Sequence, residues 1–234
     1  TGLFGILMAK YSNAEESLFS TIYNGRNDSR LENTVCMLVK TLPVYCKFDP
    51  KTTVQAYMTE LSGQILSSMA NDIFPFSDIC AKYGLNSDLT FAYQAELSDD
   101  YPIGDTIGRG HDLSLAMAKM PLLIQVREYN HTYVLTAEYR SDMYSQAFID
   151  GILDSYEAAM SSMLKTKYVS EISVISQSGV NKIAEFNHTE NEFDRSKTIS
   201  DMFAELAETI SDHTAVVFKD RKYTYKELDE LSDR

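Results

Sequence analysis

The chain has 234 residues, 44% of them hydrophobic and 24% charged, enough to bury a substantial core in one large domain or one and a half. A net charge of -13 opposes the phosphate backbone and argues against a nucleic-acid partner, because such binding needs clustered Lys and Arg. No apolar run approaches the ~18 residues of a membrane span, so the expectation is a globular, cytoplasmic protein without a membrane partner.

Leu3-Phe4-Gly5-Ile6-Leu7-Met8 opens the chain as an apolar stretch with no capping sequence before it. The final residues, from Tyr225, are helical in period but lack a terminating Gly or Pro, so both ends are expected to be cuts through a longer polypeptide. Residues 17–26 and 40–48 read as strands, with β-branched and aromatic residues alternating between turn-formers. Thr52-x-x-Gln55 offers a capping box to a helix carrying Val54, Tyr57, Met58, Leu61, Ile65 and Met69 on one stripe. Leu89, Phe91, Tyr93, Ala95 and Leu97 alternate with Thr90, Ala92, Gln94 and Glu96, the pattern of a strand with one buried face.

Residues 121–129 and 132–140 flank Asn130-His131 as a hairpin. A helix over 145–165 then presents Phe148, Ile149, Ile152, Tyr156, Ala159, Met160 and Met163 to a sheet. Strands mixed with covering helices imply an α/β or α+β two-layer sandwich with a mixed sheet. Residues 168–197 read as a linker with a short helix near 179–186. Thr198-x-x-Asp201 caps a helix with Ile199, Met202, Phe203, Leu206 and Ile210 facing inward, and a small hairpin around Asp220-Arg221 leads into the last helix.

The three cysteines, Cys36, Cys46 and Cys80, have no C-x-x-C spacing and read as buried reduced thiols, so neither a disulfide framework nor a metal site is expected. Asp99-Asp100 reads as solvated charge. Gly104-x-x-x-Gly108-x-Gly110 has no strand-to-helix context and no following Lys-Ser/Thr, and reads as a surface loop.

Gly25-Arg26, followed by Leu31-Glu32-x-x-Val35-x-x-Leu38-Val39-x-Thr41-Leu42-Pro43-Val44, resembles the pattern G-R...I-E-x-M-V-G-x-F-V-N-T-L-P-L of the condensation domains of nonribosomal peptide synthetases. Pro75-Phe76 stands at the family's distance as the remnant of a H-Q-D-x-P-F-E segment. Phe186-Asn187-His188-Thr189 is similar to the W-N-x-T linker between condensation and adenylation domains, and Tyr223-Thr224-Tyr225-Lys226-Glu227-Leu228 to the L-T-Y-x-E-L opening of adenylation domains.

The resemblance implies a chloramphenicol-acetyltransferase-like lobe, the second of two that form a tunnel for carrier-bound thioesters. Residues 1–167 would be that lobe, 168–197 the interdomain linker and 198–234 the start of an adenylation domain. The segment near 98–120 would reach across to the other lobe. The implied partners are the first lobe, carrier domains bearing phosphopantetheine, and the rest of the adenylation domain, which would use ATP and Mg; self-association through an exposed lobe interface is a further expectation. The family motif His-His-x-x-x-Asp-Gly is absent, because none of His111, His131, His188 and His213 has an Asp-Gly five residues on. No catalytic residue is therefore expected in this chain, and no bound cofactor.

The substrate-tunnel candidates are Lys40, Thr41, Asn71 and Asp72. Lys40 stands where the family has Asn; it reads as a partner for an acidic substrate or as a snorkelling structural lysine. Asn71 and Asp72, standing where the family has His-Gln, read as hydrogen-bonding groups for a substrate arm or as a helix C-terminus. Gly25, Arg26, Glu32, Pro43, Pro75, Phe76 and Asn187 carry the motif structurally. The departures at Cys36, Lys40, Asn71 and Asp72 leave two readings open, an amide-forming domain and a degenerate docking platform.

Overall fold

Leu3 to Ala9 has no polar face, and a helix that is apolar all round must be enclosed. The computed structural model describes residues 1–26, 28–86, 88–95, 100–109, 117–129 and 131–233. In chain order they form α1 (Gly2–Ser12), β1 (Glu16–Tyr23), β2 (Lys40–Lys47), α2 (Val54–Ala70), α3 (Phe76–Tyr83), β3 (Leu89–Gln94), β4 (Asp100–Ile103), β5 (Thr106–Arg109), β6 (Leu122–Tyr129), β7 (Thr132–Tyr139), α4 (Gln146–Met163), α5 (Gln177–Phe186), α6 (Ile199–Thr209), β8 (Thr214–Phe218), β9 (Arg221–Thr224) and α7 (Tyr225–Ser232). They divide into two compact units, Thr1–Glu185 and Phe186–Arg234.

The first unit is built on a five-stranded mixed sheet in the order β2-β1-β3-β6-β7. The two outer pairs, β1/β2 and β6/β7, are antiparallel, while β1/β3 and β3/β6 are parallel. α1 lies on β1 and β2, and α4 lies on α1 and β7. The core forms where α1 meets the sheet: the Phe4 ring sits 5.0 Å from Phe19 edge-on and 5.2 Å from Phe91 in a stack. Ile149, Ile152 and Ala159 of α4 close it on the far side and are almost inaccessible. Two-layer packing of this kind is what the apolar periodicities require.

Buried polar groups in the sheet are paired, as burial demands. The Ser20 and Thr90 hydroxyls share a hydrogen bond of 2.8 Å between β1 and β3, and the Thr21 hydroxyl donates to the Phe91 carbonyl at 2.8 Å. The Tyr57 hydroxyl donates to the Gly2 carbonyl, joining α2 to α1, and its burial pushes the phenol's pKa up. The segment after α4 adds Val169 and Ile172 to the core, and the Lys10 ammonium donates to the Ile172 carbonyl at 2.6 Å.

Several expectations change. The residue capping α2 is Thr53, whose hydroxyl accepts from the Ala56 amide; the Thr52 carbonyl is instead taken by the Val169 amide, which leaves Thr53 to start the helix. In β3 both faces are covered over Thr90–Ala92, so the strand is not simply one-sided, and Tyr93 is 49% exposed where β3 nears its end. Gly104 and Gly108 belong to the hairpin β4/β5 rather than to an irregular loop, Gly104 taking φ +59° at its turn; Asp99, Gly110 and His111 lie outside the described residues. Cys46 is buried, which raises its thiol pKa, but Cys36 is exposed and Cys80 partly so.

In the second unit, Thr198 caps α6 through the box read from the sequence, and Thr224 caps α7 in the same way. β8 and β9 pair as the expected hairpin. The stripe on α6 is covered only in part: Ile199 is 86% exposed and Met202 and Leu206 are exposed too, while Phe203 and Ile210 are half-buried, the Phe203 ring 5.9 Å from that of Tyr225; Ala207 is the buried hydrophobic of this unit among the described residues. Among the described residues, no helix is long and apolar enough to cross a membrane.

Candidate functional site

β2 begins at the sheet edge, and the connection from α2 to α3 passes beside it. Between them lies a cleft of about 370 Å³, lined by Val39–Leu42 on one side and Asp72–Phe76 on the other. Lys40 and Thr41 come from the strand because β2 pairs in register with β1, Lys40 opposite Tyr23 and Thr41 opposite Ile22. Asp72 follows Asn71, the C-terminal cap of α2, and Pro75 starts α3 with the fixed φ that suits a helix entrance.

The Lys40 ammonium lies 2.9 Å from the Asp72 carboxylate and donates to the Asp72 main-chain carbonyl at 3.0 Å. One side chain thus holds both oxygen groups of one residue and fixes the α2–α3 connection against β2. The two side chains are 41% and 20% exposed, so solvent screens their attraction and the pair contributes only about 0–1 kcal/mol. Its role is positional. Behind it Tyr23 is buried, and that burial raises the phenol pKa, with the Asp72 charge adding and the Lys40 charge opposing.

The cleft wall is apolar and open: Ile73 is 79% and Phe74 66% exposed, and Val39, Val35 and Met37 on the preceding loop are exposed too. A surface patch of this kind marks an interaction or ligand site. The chemistry available is that of hydrogen bonding. An ammonium has three donors, of which the Asp72 carbonyl takes one while the Asp72 carboxylate pairs its charge, and Thr41 brings a hydroxyl. None of the residues lining the cleft is a His. Among the described residues no group of three or more His, Cys, Asp or Glu side chains could hold a metal ion.

The condensation-domain family profile matches residues 2–183. The chain belongs to the condensation-domain family. Bacitracin synthase 1 of Bacillus licheniformis is 26% identical over an aligned length of 240, covering 98% of this chain and 5% of that protein; the chain thus spans a small part of this curated relative's length. A four-domain nonribosomal peptide synthetase solved with AMP and glycine shares the fold at a TM-score of 0.71 and 15% identity, over 97% of this chain and 19% of that one. The X-domain solved in complex with OxyB from teicoplanin biosynthesis shares it at a TM-score of 0.59 and 10% identity, over 74% of this chain and 41% of that one.

The condensation-family motif residues divide by place. Gly25 takes φ +69°, and a Cβ there would collide with the Leu38 carbonyl, so the position requires glycine. Arg26 follows and donates to the carbonyls of Leu31 and, at 3.3 Å, Cys36, which cinches the loop between β1 and β2. Pro43 sits opposite Ser20 on β2, an edge strand, where a missing N–H is tolerated. Glu32 and Asn187 are exposed.

Of the tunnel candidates, Lys40, Thr41 and Asp72 meet in the cleft, joined by Pro75 and Phe76. Asn71 does not: its amide donates to the Ser67 carbonyl at 2.9 Å, closing its own helix. The apolar lining by Val39, Ile73 and Phe74 was missed from sequence. Two large apolar residues between a helix cap and a proline, where a turn should be polar, were the available signal.

Proposed function

We propose that this cleft is part of the acceptor-side wall of a thioester tunnel, and that the chain is the second lobe of an amide-forming condensation domain in a nonribosomal peptide synthetase. The observation that carries the reading is the cleft itself: polar groups at the head of β2 beside an uncovered apolar wall. In the proposed reaction an acceptor amine attacks the donor thioester carbonyl, the C–N bond forms, the C–S bond breaks, and the amine proton leaves through a base while the thiol departs with a proton. The second His of the His-His-x-x-x-Asp-Gly motif, carried by the first lobe, would act as that base or position the amine, and the residues of this chain position rather than catalyse.

The first lobe would cover the exposed Val35 and Met37 beside the cleft, and without it that surface would drive self-association. Carrier domains would bring both thioesters on phosphopantetheine arms. The second unit reads as the opening of an adenylation domain, supported by the Thr224-capped helix at the resembling motif and by the extent of the likeness to the four-domain synthetase.

The test uses the parent domain spanning both lobes, with donor and acceptor carriers loaded, and mass detection of the amide-linked product. Product from the two-lobed domain and none from the 234-residue chain alone is expected. Product from this chain alone, or none from the two-lobed domain, overturns the reading. A second reading, a docking platform without catalysis, is favoured by the engagement of Lys40 by Asp72 and by the fold shared with the X-domain. It requires a parent domain that forms no amide yet retains a tailoring or carrier protein in a binding assay.

A further inference from the structure

The charges in the cleft are Lys40 and Asp72, and they are spent on each other. Around them Val39, Leu42, Ile73, Phe74 and Phe76 supply apolar surface. We propose that the cleft binds the uncharged, apolar side chain of an acyl or aminoacyl thioester and rejects acidic ones, with Asp72 as the residue that sets this preference. The proposal rests on the reading of the cleft as a tunnel wall and names the substrate class that wall takes.

The argument is one of competition. A ligand carboxylate could reach Lys40 only by displacing the Asp72 carboxylate, which is already tethered at millimolar or higher effective concentration. Displacement would also leave two carboxylates side by side, one without a counter-charge. A ligand ammonium would meet the Lys40 charge instead. An uncharged side chain meets neither cost and gains burial against Ile73, Phe74 and Phe76. A Lys40 N–H not taken by the Asp72 carbonyl, and the Thr41 hydroxyl, remain to hold a neutral carbonyl oxygen such as that of a thioester.

Asp72→Asn keeps the shape of the side chain and removes its charge, so Lys40 becomes an uncancelled cation. The preference should then shift toward acids. Lys40→Met with Asp72→Asn removes both charges, and only apolar burial should rank the ligands.

The experiment titrates the 234-residue chain with N-acetyl-leucyl and N-acetyl-glutamyl thioesters of N-acetylcysteamine, following the amide resonances of residues 39–42 and 72–76 by NMR. The leucyl probe is expected to bind about tenfold more tightly than the glutamyl probe, and Asp72→Asn to shrink that ratio by about tenfold or reverse it. The double variant should restore the leucyl preference, which also shows that the single substitution had not simply unfolded the cleft. Equal affinities in the native chain, an unchanged ratio in Asp72→Asn, or no leucyl-dependent shift at these residues overturns the proposal. Absence of amide formation by the two-lobed parent, with the affinity ratio intact, would instead remove the tunnel assignment and leave the binding preference standing.

Discussion

α1 and α6 are both helices of 11 residues, and they are stabilised in opposite ways. α1 has no side-chain cap and no acidic residue in its first turn, yet Leu3, Phe4, Ile6 and Leu7 are nearly inaccessible. α6 has a complete capping box and a strongly one-sided apolar stripe, yet leaves Ile199 in solvent. Short helices are marginal in water, so α1 draws its stability from tertiary burial and α6 from its own termini. Deleting buried volume should therefore be costly in α1, and deleting local hydrogen bonds should matter in α6.

The largest expected effect is at Phe4. Phe4→Ala removes a fully buried ring packed on Phe19 and Phe91, and should cost about 3–5 kcal/mol in denaturant unfolding of the first unit. A cost below about 1 kcal/mol would mean that the cavity collapses freely and that α1 is not held by its packing.

A smaller effect sharpens the contrast with a segment that adds no buried residue among those described. The loop between β1 and β2 depends on Gly25 and Arg26. Gly25→Ala should cost about 1–3 kcal/mol through its positive φ and the clash with Leu38. Hydrogen exchange should show that loss in residues 28–39 before it shows in α1. Loss of protection in α1 first would place the strain in the core instead.

Much of the first unit was legible because its signals are local. The alternations of β1, β2, β6 and β7 and the stripes of α2 and α4 each lie within one element, and register does the rest. Tyr93 was misjudged because exposure at a strand end depends on what lies over it, which no alternation encodes. α3 and the β4/β5 hairpin were missed as elements because eight residues after a proline, and strands of four, carry too few periods to be counted. The cleft was half legible. Lys40 and Thr41 stood out in the strand motif, but the pairing of Lys40 with Asp72 joins residues 32 apart and follows from the path of the α2–α3 connection. The same connection decides that Ile73 and Phe74 line a cleft rather than fill a core.

The smallest effect concerns the acid side of the α6 cap. The Asp201 carboxylate accepts from the Thr198 amide at 2.8 Å and from the Thr198 hydroxyl at 2.7 Å. These bonds, the amide first, hold its pKa below the ordinary aspartate value of 3.8, with a small further contribution from the Lys197 charge. A carboxyl whose folded pKa is depressed contributes stability above its unfolded pKa and loses it as pH falls through the folded one. The Cα shifts of Ile199–Met202 should therefore move toward coil values as pH is lowered through and below about 4, while Leu3–Ile6, in a helix with no carboxylate, stay unchanged over that step. Thr198→Ala removes the hydroxyl partner, so the Asp201 titration should shift back toward 3.8 and the helix start should already be weakened at neutral pH, by about 1 kcal/mol. Simultaneous loss of both helices in one acid transition would show that α6 depends on packing as much as α1 does.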